Sequence, residues 1–351
     1  MSLDPPASFW VRLTLRLARS LLPLPEGVPR NPRSVLVLRT DDRVGNALLT
    51  IPLVRSLQSA LPAAQVDLLL AAPRAQVAEG LPRLRVLRFE KRDSFRHPLR
   101  FLRFLRGLRG SYDVAVDAAH WHAFSLTSAL LSRWAARRAV VGHSRGGCDF
   151  FYQAVAPVPA EGTRELDAKL SLGAALGIAL QPSREETALG FSPPVVSPNP
   201  AYAAINPGAR KADHRWPPER FAALARGLSA RHGLRSIVFW GPGERDLAAA
   251  VAADAAAELA PQTSVEQLAS SFRRAALVVT NDTGPMHLAS ACGAKVLAIF
   301  LDQDGLRWAH DREGFAALVN PSDDEALVAA GRLLDSPGAA AEPAIPLEDP
   351  P

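Results

Sequence analysis

From Ser34 onward, short runs of β-branched and leucine residues alternate with longer stretches of helical periodicity. Residues 35–38, 66–70, 86–89, 114–116 and 139–141 are predominantly apolar runs, broken only by Asp67 and Arg88, and most of them are separated by helical patterns. A strand apolar on both sides of its pleat is covered on both faces, so this pattern predicts a parallel sheet between helices. The alternation stops at 192–200, where four prolines in nine residues exclude helix and central strand. It restarts with runs at 203–205, 237–240, 277–280, 296–300 and 316–319. The chain therefore reads as α/β, with two doubly wound domains at 34–191 and 201–335 and a Pro-rich linker at 192–200. A segment 1–33 precedes them. The tail 336–351, rich in Ala, Pro and Glu and without aromatic residues, is expected to be disordered.

The first segment carries a different pattern. Arg12, Arg16 and Arg19 recur at helical spacing, and Trp10, Leu13, Leu17 and Leu21 form a separate stripe. Two readings fit this basic amphipathic helix: it lies on an anionic membrane surface, or it packs on the flank of the following domain. The arginines interrupt the apolar run and no small-residue cleavage site follows it, which argues against a secretory leader. No stretch of about 18 uncharged apolar residues occurs, which argues against a transmembrane helix.

Composition narrows the partner class only slightly. A chain of 351 residues that is 48% hydrophobic and 21% charged can bury a sizeable core, which excludes disordered and collagen-like classes. Only four of its 40 basic residues are lysines, and the formal net charge is +5. That balance favours anionic partners without choosing among nucleic acid, lipid phosphate and nucleotide. Cys148 and Cys292 form neither a disulfide framework nor a CxxC site, which fits a reducing compartment.

Open parallel sheets bind ligands beyond the carboxyl ends of their strands, so the residues following each strand carry the chemistry. After the 35–38 run comes Arg39-Thr40-Asp41-Asp42-Arg43-Val44-Gly45-Asn46, a polar turn leading into a helix. It lacks both the Gly-x-Gly-x-x-Gly fingerprint and the Walker lysine, which disfavours a nicotinamide enzyme or a P-loop ATPase. After 203–205 comes Asn206-Pro207-Gly208-Ala209-Arg210-Lys211, then His214-Arg215-Trp216-Pro217-Pro218-Glu219 and a helix. Free amides at that helix start, beside Lys211 and Arg215, suit a phosphate. After 277–280 comes Asn281-Asp282-Thr283-Gly284-Pro285-Met286-His287. Amides at Thr283 and Gly284 would face an anion, Asp282 offers a carboxylate to sugar hydroxyls, and His287 lies one turn into the helix.

On these three stretches the sequence resembles glycosyltransferase family 9, the ADP-heptose:lipopolysaccharide heptosyltransferases. "NPGA…RWPPERFAALA" and "TNDTGPMHLASACGAKVLAIF" match in order and spacing, and "RTDDRVGNALLTIPLVRSL" matches the family's N-terminal loop and helix. The likeness spans roughly 34–321. It implies a GT-B fold of two Rossmann-like domains facing across a cleft, and inverting, metal-independent sugar transfer with no cofactor. The donor is a nucleotide sugar, most simply ADP-heptose, held by the C-terminal domain; a lipid-linked glycan of lipopolysaccharide core type is bound by the N-terminal one. Glu244 falls where the family places a carboxylate on the ribose, and the 262–264 region near the adenine pocket. The resemblance implies a cytoplasmic enzyme, peripheral on the inner face of the inner membrane, with no role for nucleic acid.

Two positions depart from the family pattern. The family's loop ends in Gly-Asp, its proposed general base, whereas this chain has Asn46 there. An amide accepts no proton at neutral pH, so Asp42, ahead of Asp41, is the substitute the loop offers, with Asn46 left to position the acceptor hydroxyl. The family's phosphate-binding lysine is His214 here, with Lys211 and Arg215 as replacements. Three alternatives stay open: a family member using another nucleotide sugar or acceptor, a catalytically silent nucleotide-binding homologue, and a GT-B sugar-nucleotide epimerase.

Three further features are weaker. Asp302-Gln303-Asp304 matches the short Asp-x-Asp pattern of metal-dependent glycosyltransferases. His120, His122 and Arg145 follow strands and are acceptor candidates; without further ligands in sequence, the histidines do not read as a metal site. Between Arg83 and Arg109 lie ten basic residues against Glu90 and Asp93. They read either as a seat for an acidic glycan or leaflet, or as a solvated helix face with Leu99, Leu102 and Leu105 packed beneath.

Overall fold

The computed structural model describes residues 9–180, 189 and 201–336. Both the Pro-rich stretch 192–200 and the tail beyond Ser336 lie outside these. The chain divides into two compact units, Met1–Ser192 and Pro193–Pro351.

Unit 1 runs α1 (Phe9–Leu21), β1 (Ser34–Arg39), α2 (Val44–Leu48), α3 (Ile51–Ala60), β2 (Gln65–Ala71), β3 (Val86–Phe89), α4 (Asp93–Arg96), α5 (Pro98–Leu108), β4 (Tyr112–Asp117), α6 (Leu126–Ala135), β5 (Ala136–His143), β6 (Ala154–Ala156) and α7 (Glu165–Leu170). Its six strands are ordered β3-β2-β1-β4-β5-β6, all parallel. The register sets Val35 beside Val66 on one side and Val114 on the other.

Unit 2 repeats the plan: β7 (Tyr202–Asn206), α8 (Pro218–His232), β8 (Arg235–Val238), α9 (Arg245–Asp254), β9 (Glu258–Leu259), α10 (Val265–Arg274), β10 (Leu277–Asn281), α11 (Gly284–Ala291), β11 (Val296–Phe300), β12 (Phe315–Val319) and α12 (Asp323–Asp335). The order β12-β11-β10-β7-β8-β9 is the same topology counted from the unit's first strand. Each unit is thus a doubly wound sheet whose strand order reverses between its first and fourth strands, β1 and β4 or β7 and β10. That is where such sheets bind ligands. The central strands are buried and apolar through their middles, as covering on both faces demands, with polar residues toward their ends.

Four local expectations change. The 237–240 run pairs only as Arg235–Val238, after which Trp240 Nε1 donates to Ala260 O at 2.8 Å. Strands β6 and β9, three and two residues long, were not foreseen. In α1 the core side is Leu15, with Val11 and Ala18, while Trp10, Leu17 and Leu21 face solvent. In α5, Leu105 packs inward as expected, but Leu99 and Leu102 point out, and Phe101, Phe104 and Leu108 take the core side. The rings bury more apolar area than a leucine does, so the phenylalanine face wins the sheet. Among the described residues, no helix is long and apolar enough to cross a membrane.

Candidate active site

In unit 1, charged side chains converge at the β1/β4 reversal. Arg39, the last residue of β1, is buried and donates to Ala118 O at 2.7 Å just beyond β4. It ion-pairs with Asp41 and contacts His120 Nε2. His120 Nδ1 lies 2.5 Å from Glu165 Oε1, and Glu165 accepts from Lys169 Nζ at 3.1 Å one helical turn further along α7. Burial, with Arg39 and Lys169 nearby, pushes His120 down to about 3, so the ring is neutral at pH 7. An arginine N–H on Nε2 leaves the proton on Nδ1, donated to the ionised Glu165. Burial pushes Lys169 down to about 8.

The loop after β1 divides its two aspartates. Asp41 Oδ1 accepts from the Asn46 amide at 2.7 Å. Burial raises its pKa, but the Arg39 charge and the Asn46 hydrogen bond outweigh that and hold it below the ordinary value. Asp42 is largely exposed and pairs with Arg74 at 2.8 Å. Asn46 and Asp41 are therefore brought together, and Asp42 stands apart from both pairs. Arg145 is buried against Asp117 at 3.1 Å and donates to Tyr152 Oη at 2.8 Å and Ala119 O at 2.9 Å, which fixes the β4 and β5 ends.

His120, His122 and Glu165 bring ligand atoms within 4.8 Å of one another. The Arg39 and Lys169 cations flank this trio and oppose a further divalent charge.

In unit 2, junctions after β7, β8 and β10 meet. Asn281, fully buried at the end of β10, donates to Pro207 O at 2.8 Å and accepts from Trp216 N–H at 3.0 Å. One amide thus ties the β7–α8 loop to the start of α11. Glu244, leading α9, turns back to accept from Gly241 N–H at 3.1 Å. Its carboxylate rests on Gly208, where an added Cβ would come within 2.1 Å of Oε2. Arg215 stands 3.8 Å from Glu244 and donates to Ala209 O at 2.8 Å. Lys211 is exposed on the same loop. Prolines lie in the first turns of both α8 and α11, and no side chain caps either helix start. Amides there are oriented to receive an anion.

Thr283 leads α11, and Thr283 Oγ1 lies 3.3 Å from Asn281 O. Asp282 is mostly buried, and burial pushes it up to about 7 against the opposing Arg307 charge. His287 is buried, its Nδ1 2.8 Å from His310 Nε2. Asp302 Oδ1 accepts from Gly305 N–H at 2.7 Å, a turn-forming role. Ser264 caps α10 in a capping box with Gln267. Arg39, Glu165 and Lys169 were missed as site residues. Arg39 reads in sequence as the first residue of a polar turn, and the Glu-x-x-x-Lys spacing of α7 as an ordinary surface pair.

Two doubly wound units, with charged strand ends in one and helix starts tied at the strand-order reversal in the other, have the architecture of the two-Rossmann glycosyltransferases. The chain belongs to glycosyltransferase family 9 (heptosyltransferase), whose family model matches residues 101–322. Over 287 residues it is 24% identical to lipopolysaccharide heptosyltransferase 3 of Escherichia coli, covering 75% of this chain and 82% of that protein. The E. coli heptosyltransferase WaaC, solved with ADP-2-deoxy-2-fluoro heptose, shares its fold at TM-score 0.64 and 23% identity, over 81% of this chain and 92% of that one. A family 9 glycosyl transferase from Veillonella parvula DSM 2008 aligns at TM-score 0.68 and 17% identity, over 86% and 97%.

Proposed function

We propose that the protein moves a heptose from ADP-heptose onto a hydroxyl of a lipopolysaccharide core-type, lipid-linked acceptor, with inversion and without a resident metal or cofactor. The observation that carries this reading is Asn281 holding the β7–α8 loop and the α11 start together, with Arg215 and Glu244 beside them. In this reading, unit 2 binds the nucleotide sugar. The amides at the starts of α8 and α11, with Lys211 and Arg215, receive the diphosphate; Glu244 accepts from the ribose hydroxyls; Asp282, Thr283 and Gly284 face the diphosphate–sugar junction; and His287 lines it from one turn inside α11.

Unit 1 receives the acceptor at the β1/β4 reversal. Asp41, ionised and oriented by Asn46, takes the hydroxyl proton as the oxygen attacks the anomeric carbon from the face opposite ADP. The bond to the diphosphate oxygen breaks, and the charge that builds there is met by the helix starts and cations. Loss of one such contact is worth about 2.7–4 kcal/mol, by analogy with a deleted oxyanion donor. Arg39, His120, Glu165 and Lys169 form a fixed charge network that holds Asp41 in place. An acceptor of this class places the work at the cytoplasmic face of the inner membrane.

Product analysis with a panel of nucleotide sugars and truncated core acceptors tests the reading, with calorimetry against ADP and UDP. Heptosyl product and preferential ADP binding are expected; binding of neither nucleotide removes the transferase assignment. Asn46 favours a second reading, a nucleotide-binding homologue without turnover. That reading predicts ADP binding with no product from any donor and acceptor pair.

A further inference from the structure

We propose that the outward faces of α1 and α5 form a single docking surface for an anionic lipid bilayer. Among the described residues nine large apolar side chains are exposed, and seven lie here: Phe9, Trp10, Leu17 and Leu21 on α1, Phe95 on α4, and Leu99 and Leu102 on α5. Trp10 and Leu99 are 72% and 77% exposed. Scattered apolar side chains are ordinary on a surface, whereas this concentration on neighbouring elements is not.

The two helices belong to one layer. Leu15 of α1, Leu108 of α5 and Ala129 of α6 pack into the same core on one face of the sheet. Helix α6 lies between the other two. On one side Trp134 Nε1 of α6 donates to Leu105 O of α5 at 2.6 Å, and Phe101 and Phe104 of α5 meet Phe89 of β3. On the other, α1 packs against α6 and the turn before β6, with Arg16 over the Phe150 ring and Arg19 donating to Phe150 O at 2.6 Å. Both outer helices turn a second apolar stripe away from this core, where it has no partner among the described residues.

Charge selects the occupant. Neither helix contains an aspartate or glutamate. In the 83–109 segment, Arg85, Arg88 and Arg100 are paired with acids, but Arg96, Arg103 and Arg106 have no acidic partner among the described residues. Apolar side chains interleaved with unpaired guanidinium groups match the boundary between acyl chains and anionic headgroups; a protein partner would have to supply a matching acidic apolar groove. The inference is independent of the sugar and acceptor proposed above.

Flotation of the full chain with vesicles of phosphatidylcholine alone, and of phosphatidylcholine mixed with phosphatidylglycerol, tests it. Binding to the mixed vesicles only, weakened by salt, is expected. Arg103→Gln with Arg106→Gln should lower partitioning about tenfold or more. Trp10→Ser with Leu17→Ser, and separately Leu99→Ser with Leu102→Ser, should each release the chain, while its melting temperature and ADP affinity stay at wild-type values. Equal binding to neutral vesicles, no binding to either, or indifference to all three pairs overturns the proposal. So does a dimer, seen by light scattering without lipid, that the serine pairs dissociate.

Discussion

The Asn46 amide donates to Asp41 Oδ1 at 2.7 Å, so Asn46 holds a carboxylate that stands five residues earlier. Asp41→Asn should lower kcat/KM by about 10²–10⁴-fold, the usual range for a lost general base, with ADP affinity unchanged. Asp42, exposed and paired with Arg74, should tolerate the same change within a few-fold. Asn46→Asp would set two carboxylates against each other, raise the pKa of the pair and move the acid limb of the pH–kcat/KM profile to higher pH. Steady-state kinetics across pH on a soluble acceptor checks all three. Loss of turnover in Asp42→Asn alone would reassign the base.

Glu165 and Lys169 are both buried and neutralise each other. Glu165→Gln leaves the Lys169 ammonium without its carboxylate and should destabilise unit 1 by about 3–5 kcal/mol. Glu165→Leu combined with Lys169→Met should recover most of that, because no uncompensated charge remains. Burial raises the Glu165 pKa, but Lys169 and His120 outweigh it and hold it well below its ordinary value. Its stabilisation is therefore complete above the unfolded value of 4.5 and is lost as pH falls through the depressed folded value. In urea titrations, the gap between wild type and Glu165→Gln should close in strong acid, and should also narrow as pH rises toward 8, because Lys169 without its carboxylate gives up its proton sooner than in wild type.

Glu244 leans on Gly208, and a methyl group there would collide with its carboxylate. Gly208→Ala should displace Glu244 from Gly241 N–H and weaken ADP binding about tenfold or more. Glu244→Ala should do the same, and the double variant should be no worse than either, since both remove one arrangement. Calorimetry on the cycle decides the point; additive losses would mean that Gly208 acts separately.

What could be read from the chain alone follows burial. Strands such as β1, β4 and β10 are apolar on both faces, so they stand out as continuous runs, and the polar junctions after them are visible for the same reason. Strands β6 and β9 are too short to leave a pattern. Lys211, Arg215 and Asp282 were legible because each lies in a junction that follows a strand, and Glu244 through the resemblance. Glu165 was not: it meets His120 across 45 residues, through the packing of α7. For α5, helical spacing alone left two apolar faces available, and only the bulk of Phe101 and Phe104 against Phe89 decides which turns inward.

Asp282 gives unit 2 a pH response of definite sign. Burial lifts its carboxyl to about 7, with the Arg307 charge opposing and Asp302 adding to the rise. Below pH 7 the group is neutral, and above it a negative charge faces the helix start proposed to hold the diphosphate. ADP should therefore bind more tightly at pH 6 than at pH 8, with proton uptake on binding near pH 7. The terminal phosphate of ADP also titrates near this range and, gaining charge with pH, pulls the other way. Asp282→Asn isolates the protein's part: the variant should lose the uptake and bind ADP at pH 8 at least as tightly as wild type. Calorimetry in buffers of different ionisation enthalpy measures both quantities. Equal proton uptake in wild type and variant would remove Asp282 from the nucleotide site.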